Sequence, residues 1–380
     1  MTVTDYAALA NEAIAAADAA GSPEVASELR LKAVGQIPRF PSLQPLHAEL
    51  LRQPLDVEDG EARLAAEALR QALHVAQTMR IDAFIPGIAE RARAAAARSD
   101  EAFVQWFAAL ATAAEAARSK GYASAMDAYR RAQSKTEALG REALSLDLDL
   151  VRLDLELRHG QHNGVLNATA AILDDLEGRD STWDGERFHV QTALGLIHIH
   201  RDESQEAEVA MTTARDLAAA HGLVVDEAQI LVGLVPLWLH IQQAPQAVSA
   251  MRELLPRLTE LEESATMEMA LRSLLLRALR EMGAVGEAIG AGFEAVKRAG
   301  AVGNVTHFTS FMLTTATLYY EVGRHGDCYN CLKMAEEGLA TRDDASEMLD
   351  QVQAAKRGLE ADVGEARYAA LVAQYAADEH

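Results

Sequence analysis

A period of about 40 residues runs through most of the 380-residue chain and restricts its fold more than any other feature. Small or apolar residues mark it at intervals of 40, 42, 40, 41, 40 and 38: Ala125, Val165, Ala207, Ala247, Ala288, Cys328 and Ala366. Twelve positions before each of these lies another one: Ala113, Leu153, Gly195, Val235, Leu276, Ala316 and Ala354. A repeat of this length is a supersecondary unit that buries its apolar face only by stacking against the next copy. The chain is therefore predicted to form a stacked array.

The composition predicts that the repeated unit is helical. Residues that favour helices are abundant, whereas aromatic residues make up 5% of the chain and prolines number nine. One segment, LSLDLDLVRLDLEL at 144–157, alternates as a strand does. Its residues Leu146, Leu150, Leu153 and Leu157 also have helical spacing, and valine is its single β-branched residue. We therefore expect a helix here and an all-α chain.

The repeated unit resembles the tetratricopeptide repeat. The segment QTALGLIHIHRDESQEAEVAMTTARDLA carries the resemblance best. Leu194 and Gly195 stand at the adjacent Leu-Gly positions of the family, and Ala207, Met211 and Ala214 stand at its Ala, large and Ala positions. The period is nearer 40 than the usual value of about 34, which resembles the long-helix variants of bacterial regulators and kinesin light chains.

This resemblance implies a right-handed superhelical α-solenoid of about eight or nine stacked antiparallel helix pairs. We expect residues 100–380 to form the regular array, with capping helices at its C-terminal end. Residues 1–99 are expected to form degenerate helical repeats, interrupted by a proline-rich connection at 36–62. In the family, the first helix of each pair lines the concave face of the array.

The net charge of −22 argues against several classes of partner. Binding to nucleic acid or to anionic membranes needs a basic surface, so we expect neither. No apolar run of 18 residues is present, and the N-terminus lacks the basic start of a signal peptide. Two cysteines cannot cross-link a chain of this length, which fits a reducing compartment. We therefore expect a cytoplasmic protein.

The sequence RHGDCYNCLKMAEEG raises the possibility of a metal or redox site at His325, Cys328 and Cys331. Zinc needs a fourth ligand, and a thioredoxin-like site needs a preceding strand. Cys328 also occupies the small-residue position of its repeat, where a buried cysteine packs as a small hydrophobe. His198 and His200 lie two positions apart on a helix and point away from each other. We therefore predict no metal and no cofactor.

Several basic residues recur near the ends of the first helices, five positions after the inner small residue. These residues could form a stripe that receives an acidic segment of a partner. Alternatively, they only compensate the dipoles of the helices on which they lie. Neighbouring arginines and one tyrosine complete the candidate partner-binding set: Arg118, Arg158, His200, His240, Arg277, Arg280 and Tyr320.

No sequence motif of catalysis is present, including nucleophile-elbow, phosphate-loop, dinucleotide and zinc-protease signatures. We therefore predict a non-catalytic scaffold or adaptor that binds another protein or a peptide along the concave face of the array. Two alternatives stay open. One is a bacterial peptide-sensing or partner-sequestering regulator without its own DNA-binding domain, and the other is a self-assembling structural subunit. The sequence leaves the oligomeric state open.

Overall fold

The computed structural model describes residues 39–45, 47–48, 62–140, 144–261, 264–339 and 346–377, together with residues 12, 15, 16, 19, 29, 33 and 37. Contacts between Cα atoms divide the chain into two compact units, unit 1 (Met1–Glu227) and unit 2 (Ala228–His380). Much of the proline-rich connection expected at 36–62 lies outside the described residues. The expected boundary between residues 99 and 100 stays a prediction.

Unit 1 is built from helices joined by short turns. They are α1 (Ala62–Thr78), α2 (Ile85–Ala97), α3 (Ala102–Ser119), α4 (Tyr122–Leu139), α5 (Ser145–Arg158), α6 (His162–Leu176), α7 (Asp184–His200) and α8 (Ser204–Ala220). Helix α9 (Val224–His240) contains the boundary between the two units. The helix predicted at 144–157 is confirmed by α5.

Unit 2 continues the same pattern. Its helices are α10 (Ala244–Thr259), α11 (Ala265–Glu281), α12 (Val285–Ala301), α13 (Val305–Glu321), α14 (His325–Leu339), α15 (Ser346–Val363) and α16 (Glu365–Ala377). The described part of the chain thus contains sixteen consecutive α-helices and no strand. The predicted all-α fold of stacked helix pairs is confirmed.

The first helix of five consecutive pairs ends in the same C-cap. A residue with positive φ lies two positions after the last residue of each of these helices. The backbone N–H of the residue after it donates to a carbonyl five residues earlier, at 2.7–2.9 Å, as in the Schellman motif. The positive-φ residues are Gly160, Asp202, Gln242, Gly283 and Gly323. Their spacing equals the repeat period, so the same turn reverses the chain in each pair.

The residues of the predicted ladders form the centre of the packing. Ala113, Ala125 and Val165 are fully buried in unit 1, and Ala247 and Ala288 are fully buried in unit 2. In each case the small or apolar side chain of the ladder is enclosed by its neighbours.

Helices α7 and α8 approach each other closely at Gly195. A β-carbon built at this position would lie 2.3 Å from Cγ of Met211, so only glycine fits the observed packing. Gly195 and Met211 are the residues that carried the family resemblance in this repeat.

The last pair departs from the predicted register. Ala354 and Ala366 are exposed, whereas Val352 and Leu359 are buried on α15. On α16 the ring of Tyr368 packs edge-on against Tyr329, with ring centroids 5.6 Å apart. Tyr368 lies 40 residues after Cys328, so the repeat period holds and the prediction of Ala366, at an interval of 38, is wrong by two positions.

Candidate functional site

A buried carboxylate lies in the first turn of four consecutive first helices. We call these the first-turn acids: Asp147 of α5, Glu186 of α7, Asp226 of α9 and Glu268 of α11. Their intervals of 39, 40 and 42 residues follow the repeat, and each acid is at most 4% exposed. A carboxylate is favoured at the positive end of a helix dipole. A buried carboxylate nevertheless needs hydrogen bonds or a counter-charge, because its desolvation is costly.

Helix α1 supplies counter-charges in unit 1. It contacts the first helices of the three following pairs, α3, α5 and α7. Arg70 Nη1 lies 2.5 Å from Asp147 Oδ2. The buried ring of His74 bridges two acids, with Nδ1 2.9 Å from Asp147 Oδ1 and Nε2 2.8 Å from Glu186 Oε1.

These contacts shift the pKa values of the three bridged groups. Burial alone would lower the pKa of His74, but its hydrogen bonds to Asp147 and Glu186 outweigh burial and raise it. Burial opposes ionisation of both acids as well. The His74 bonds and the neighbouring arginines nevertheless lower the pKa of Asp147 and of Glu186. The cluster is therefore most stable with His74 protonated and both acids ionised.

A second set of partners comes from the N-terminal arm, which we define as residues 39–45. The buried Arg39 donates from Nε to Glu186 Oε1, and its Nη2 lies 3.3 Å from the carbonyl oxygen of Thr182. Its guanidinium also lies over the ring of Trp183, 5.1 Å from the centroid. Charge and ring stacking together hold Arg39 at the start of α7.

The next residue of the arm fills an aromatic pocket. Phe40 is fully buried, and its ring centroid lies 5.1 Å from that of Phe188 and 5.2 Å from that of His221. The backbone of the arm also touches α7 directly, because a β-carbon at Gly185 would lie 2.5 Å from Arg39 N.

Ser42 connects the arm to the third acid. Its backbone N–H donates to Asp226 Oδ1 at 3.0 Å, and its hydroxyl donates to Asp226 Oδ2. Burial nevertheless raises the pKa of Asp226, because the two bonds from Ser42 compensate only part of the desolvation. In this respect Asp226 differs from Asp147 and Glu186, which have cationic partners.

Two polar groups of this cluster have no partner within the described part of the chain. Oε2 of the fully buried Glu186 accepts no hydrogen bond, and neither Oε1 nor Nε2 of Gln77 makes one. Gln77 is 4% exposed and lies one turn after His74 on α1. Buried polar atoms without partners are rare in native proteins and are costly. The site therefore has hydrogen-bonding capacity that the described residues do not use.

The fourth acid, Glu268, lies in unit 2 and has three hydrogen-bond donors there. Glu268 Oε1 lies 2.8 Å from Arg272 Nη2 and accepts from the Thr259 hydroxyl at 2.9 Å. Arg298 Nε approaches Oε2 at 2.9 Å. Burial would raise the pKa of Glu268, but these donors lower it. This acid is satisfied by its own repeat and its neighbour.

The basic positions predicted from the sequence lie elsewhere, and most are paired. In unit 1, Arg118 and Arg158 share Asp82, each with an N–O distance of 2.9 Å or less, and both also contact Asp154. Asp82 lies in a short 3-10 turn that follows α1. His200 is exposed and stacks on His162, with ring centroids 5.7 Å apart.

In unit 2 the remaining predicted positions lie on the ends of α9, α11 and α13. His240 is exposed. Arg277 Nε lies 2.9 Å from Glu281 Oε1, and Arg280 pairs with Glu321. The four arginines of the predicted stripe therefore have carboxylate partners within the chain, which compensates the charge that an acidic partner would meet. Their role in binding stays a prediction.

Tyr320 lines a cavity of about 270 Å³ in unit 2, between α13, α14 and α15. Its hydroxyl donates to Asp362 Oδ2 at 2.6 Å. Cys328 lies on the wall of this cavity, and Cys331 is buried behind it. Burial raises the pKa of Cys328 to about 11 and that of Cys331 to about 12, so both thiols stay protonated and unreactive at neutral pH.

Reasoning from the sequence missed the first-turn acids, although their signal was present. They recur at the same period as the small-residue ladder, but acids are so frequent in this chain that their register was not distinctive. Among the described residues, no group of three or more His, Cys, Asp and Glu side chains has a geometry that could hold a metal ion. The described helices also include none with the length and hydropathy of a membrane span.

No protein-family model matches the chain, and no curated protein matches it. Among solved structures, it is similar to the apo form of RapI, at 12% identity and a TM-score of 0.48, over 70% of this chain and 74% of that one. It is also similar to aspartyl phosphate phosphatase F from Bacillus subtilis, at 9% identity and a TM-score of 0.44, over 84% and 88% of the two chains.

A third similar structure is a signal-transduction ATPase of the STAND class with a tetratricopeptide-repeat sensor, from Pyrococcus horikoshii. The identity is 12% and the TM-score is 0.49 over 88% of this chain, which spans about half (52%) of that protein. With its antiparallel helix pairs, its 40-residue period and its Leu-Gly and Ala positions in the core, the present chain has the fold of a tetratricopeptide-like helical repeat protein.

Proposed function

We propose that the chain is a non-catalytic scaffold that binds a protein or peptide segment on the face formed by the first helices of its pairs. The observation that carries this proposal is the arm of unit 1. Through Arg39, Phe40 and Ser42, the first helices already hold a short stretch of polypeptide that enters a 3-10 turn after Phe40. A surface that binds a segment of its own chain in this way has the pockets and charges that peptide recognition requires.

Exposed apolar residues on α7 support the same proposal. Leu196 is 46% exposed and Ile199 is 37% exposed. They are three positions apart on the helix, with the exposed His200 beside them. Contiguous apolar exposure next to polar groups is typical of surfaces that bind a partner.

The titratable cluster itself supports a binding role over a catalytic one. His74 is 8% exposed and has both ring nitrogens engaged by carboxylates. A general base or acid must reach its substrate within hydrogen-bond distance. Because both nitrogens are engaged in ion pairs, His74 serves to hold the first helices and α1 together.

Photo-crosslinking in cells that make the chain tests the proposal. The photoreactive amino acid p-benzoylphenylalanine is placed at Leu196 on α7 or, as a control, at the exposed Asp127 on α4, a second helix. We expect a discrete crosslinked species from position 196, identified by mass spectrometry, and none from position 127. Equal crosslinking from both positions, or crosslinking from 127 alone, would contradict a binding face on the first helices.

A further inference from the structure

We propose that the first-helix face of unit 1 recognises a peptide that presents arginine and an aromatic residue in extended conformation and then turns, so that a serine or threonine lies two positions further on. We infer that residues 39–42 of the chain hold this site as an internal occupant with which the external peptide competes. This inference rests on the proposed function and adds to it the chemistry of the ligand and the way in which access is controlled.

Each anchoring residue of the arm contacts a separate set of residues on the helices. Arg39 meets an acid and an indole ring, Phe40 meets an aromatic pair, and the Ser42 hydroxyl meets an acid. The two acids, Glu186 and Asp226, occupy equivalent positions of successive repeats. They hold Arg39 and Ser42, which are three positions apart and flank the start of the 3-10 helix Pro41–Leu43.

The backbone of the arm is extended at Phe40, with φ −96° and ψ 148°, and then forms a short 3-10 helix at Pro41–Leu43. A ligand on the same path therefore turns directly after its aromatic residue. Gly185 leaves room for the arm backbone to lie directly against the first turn of α7. A peptide of different sequence could use the same path, because this contact involves backbone atoms of the arm and not its side chains.

The arm leaves some hydrogen-bonding groups of the site without a partner within the described part of the chain. Arg39 places one nitrogen on Glu186 Oε1 and another on the Thr182 carbonyl, so it does not form the two parallel bonds that a guanidinium can make with a carboxylate. Glu186 Oε2 stays without a partner, as does the amide of Gln77 within the described part of the chain. A ligand that also satisfied these buried atoms would bind more tightly than the arm does.

The arm and an external peptide compete for the same site. A segment tethered to its own site competes at an effective concentration on the order of millimolar. An identical free peptide at micromolar concentration therefore does not displace the arm, whereas a better ligand does. The net charge of −22 favours a cationic peptide and disfavours an acidic one. This reverses the charge that the basic positions in the sequence suggested for the partner.

A binding titration with the full-length chain tests the inference. The probe is a fluorescein-labelled synthetic peptide that copies residues 36–46, QIPRFPSLQPL. It is titrated with the wild-type chain and with the triple variant Arg39→Ala, Phe40→Ala and Ser42→Ala, and fluorescence anisotropy is measured. We expect the variant to bind the probe at least tenfold more tightly than the wild type, because its own arm no longer competes.

Three controls accompany the titration. Arg130→Ala removes an exposed arginine of α4 and should leave the wild-type affinity unchanged. A probe in which the arginine is replaced by glutamate and the phenylalanine by alanine should not bind the triple variant. Circular dichroism at 222 nm checks that the variant is folded. If it is not, the single variant Ser42→Ala, which keeps the other anchors, should still show a measurable gain in affinity.

The inference is overturned if a folded arm variant fails to bind the probe, or if variant and wild type bind it equally. These results differ from a failure of the proposed function. If crosslinking at Leu196 succeeds but the probe does not bind, the chain is a scaffold with a different ligand. If the probe binds but no crosslink forms, the site exists but the partner face does not.

Discussion

At the scale of single residues, the carboxyl of Asp149 on α5 is a destabilising group. Burial and repulsion from Asp175 raise its pKa to about 6, with Arg152 compensating only in part. Because the folded pKa lies above that of the unfolded chain, the folded form loses stability as the pH rises from about 4 to about 6. Asp149 therefore opposes folding at neutral pH.

We predict that Asp149→Asn stabilises the protein at pH 7.5 and has much less effect at pH 4. The full pKa difference corresponds to about 3 kcal/mol, and screening at this partly exposed site reduces the expected gain to about 1 kcal/mol. Urea unfolding at the two pH values measures it. An equal gain at both values would mean that the charge of Asp149 is not the cause.

The ion pairs of Asp82 show at the same scale why the predicted basic stripe could not be judged from the sequence. Arg118 lies 36 positions and Arg158 lies 76 positions beyond this acid. The two arginines are one repeat apart, but no pattern along the chain relates either of them to Asp82. The three residues meet because α1 lies against the following first helices and its end brings Asp82 to the ends of α3 and α5. The position of α1 depends on tertiary packing, and the 40-residue period of the sequence does not predict it.

At the scale of elements, the turn that closes each helix pair is the feature most completely encoded by the sequence. The small-residue ladder, the Leu-Gly position and the glycines after the helices share one period, and each reflects a local requirement for close packing or for positive φ. Such requirements act within one repeat, so they are readable from one sequence. The first-turn acids depend on partners from distant elements, and for this reason their role was not readable.

Two of these turns carry a residue other than glycine at the left-handed position. Gln242 has φ +61° and Asp202 has φ +58°. We predict that Gln242→Gly stabilises unit 2 by about 0.5–1 kcal/mol, because relief of the left-handed strain exceeds the added entropy of the unfolded chain. Chemical denaturation measures the difference.

The matched control for this prediction is Gln246→Gly in the first turns of α10, where the backbone is right-handed and the side chain is exposed. There the same replacement should destabilise by about 0.5 kcal/mol, because glycine is a poor helix residue. If Gln242→Gly also destabilises, Gln242 makes a contribution to the turn that outweighs the backbone strain.

At the scale of the whole molecule, the excess of acids is organised and not merely solvated. One acid in each of four consecutive repeats is buried at a helix start and receives donors from other elements. Arginines and one histidine are placed against three of these acids, which compensates the cost of burying their charge, whereas Asp226 accepts hydrogen bonds from Ser42. The stability of unit 1 should therefore depend on the protonation of His74 and of its two acidic partners.

The raised pKa of His74 gives this dependence a sign. A histidine whose folded pKa exceeds that of the unfolded chain contributes stability that is complete below the unfolded value of about 6.5, and this stability is lost as the pH rises through the folded value. Asp147 and Glu186 have lowered pKa values, so their contribution is complete above the unfolded values and is lost only in acid. Above pH 6.5 Asp147 and Glu186 are ionised in both states, so among these three groups the contribution of His74 alone falls, until the pH exceeds its folded pKa.

We therefore predict that the free energy of unfolding of the wild type falls between pH 7 and 8.5, and that His74→Gln flattens this decline while lowering stability at pH 7. Urea unfolding followed by circular dichroism measures both effects. His189→Gln is the control, because burial and the nearby Arg80 lower the pKa of His189 to about 4, so this histidine is neutral throughout the window. A wild-type slope that persists unchanged in His74→Gln would mean that the bridge between α1 and the first-turn acids does not depend on the charge of the imidazole.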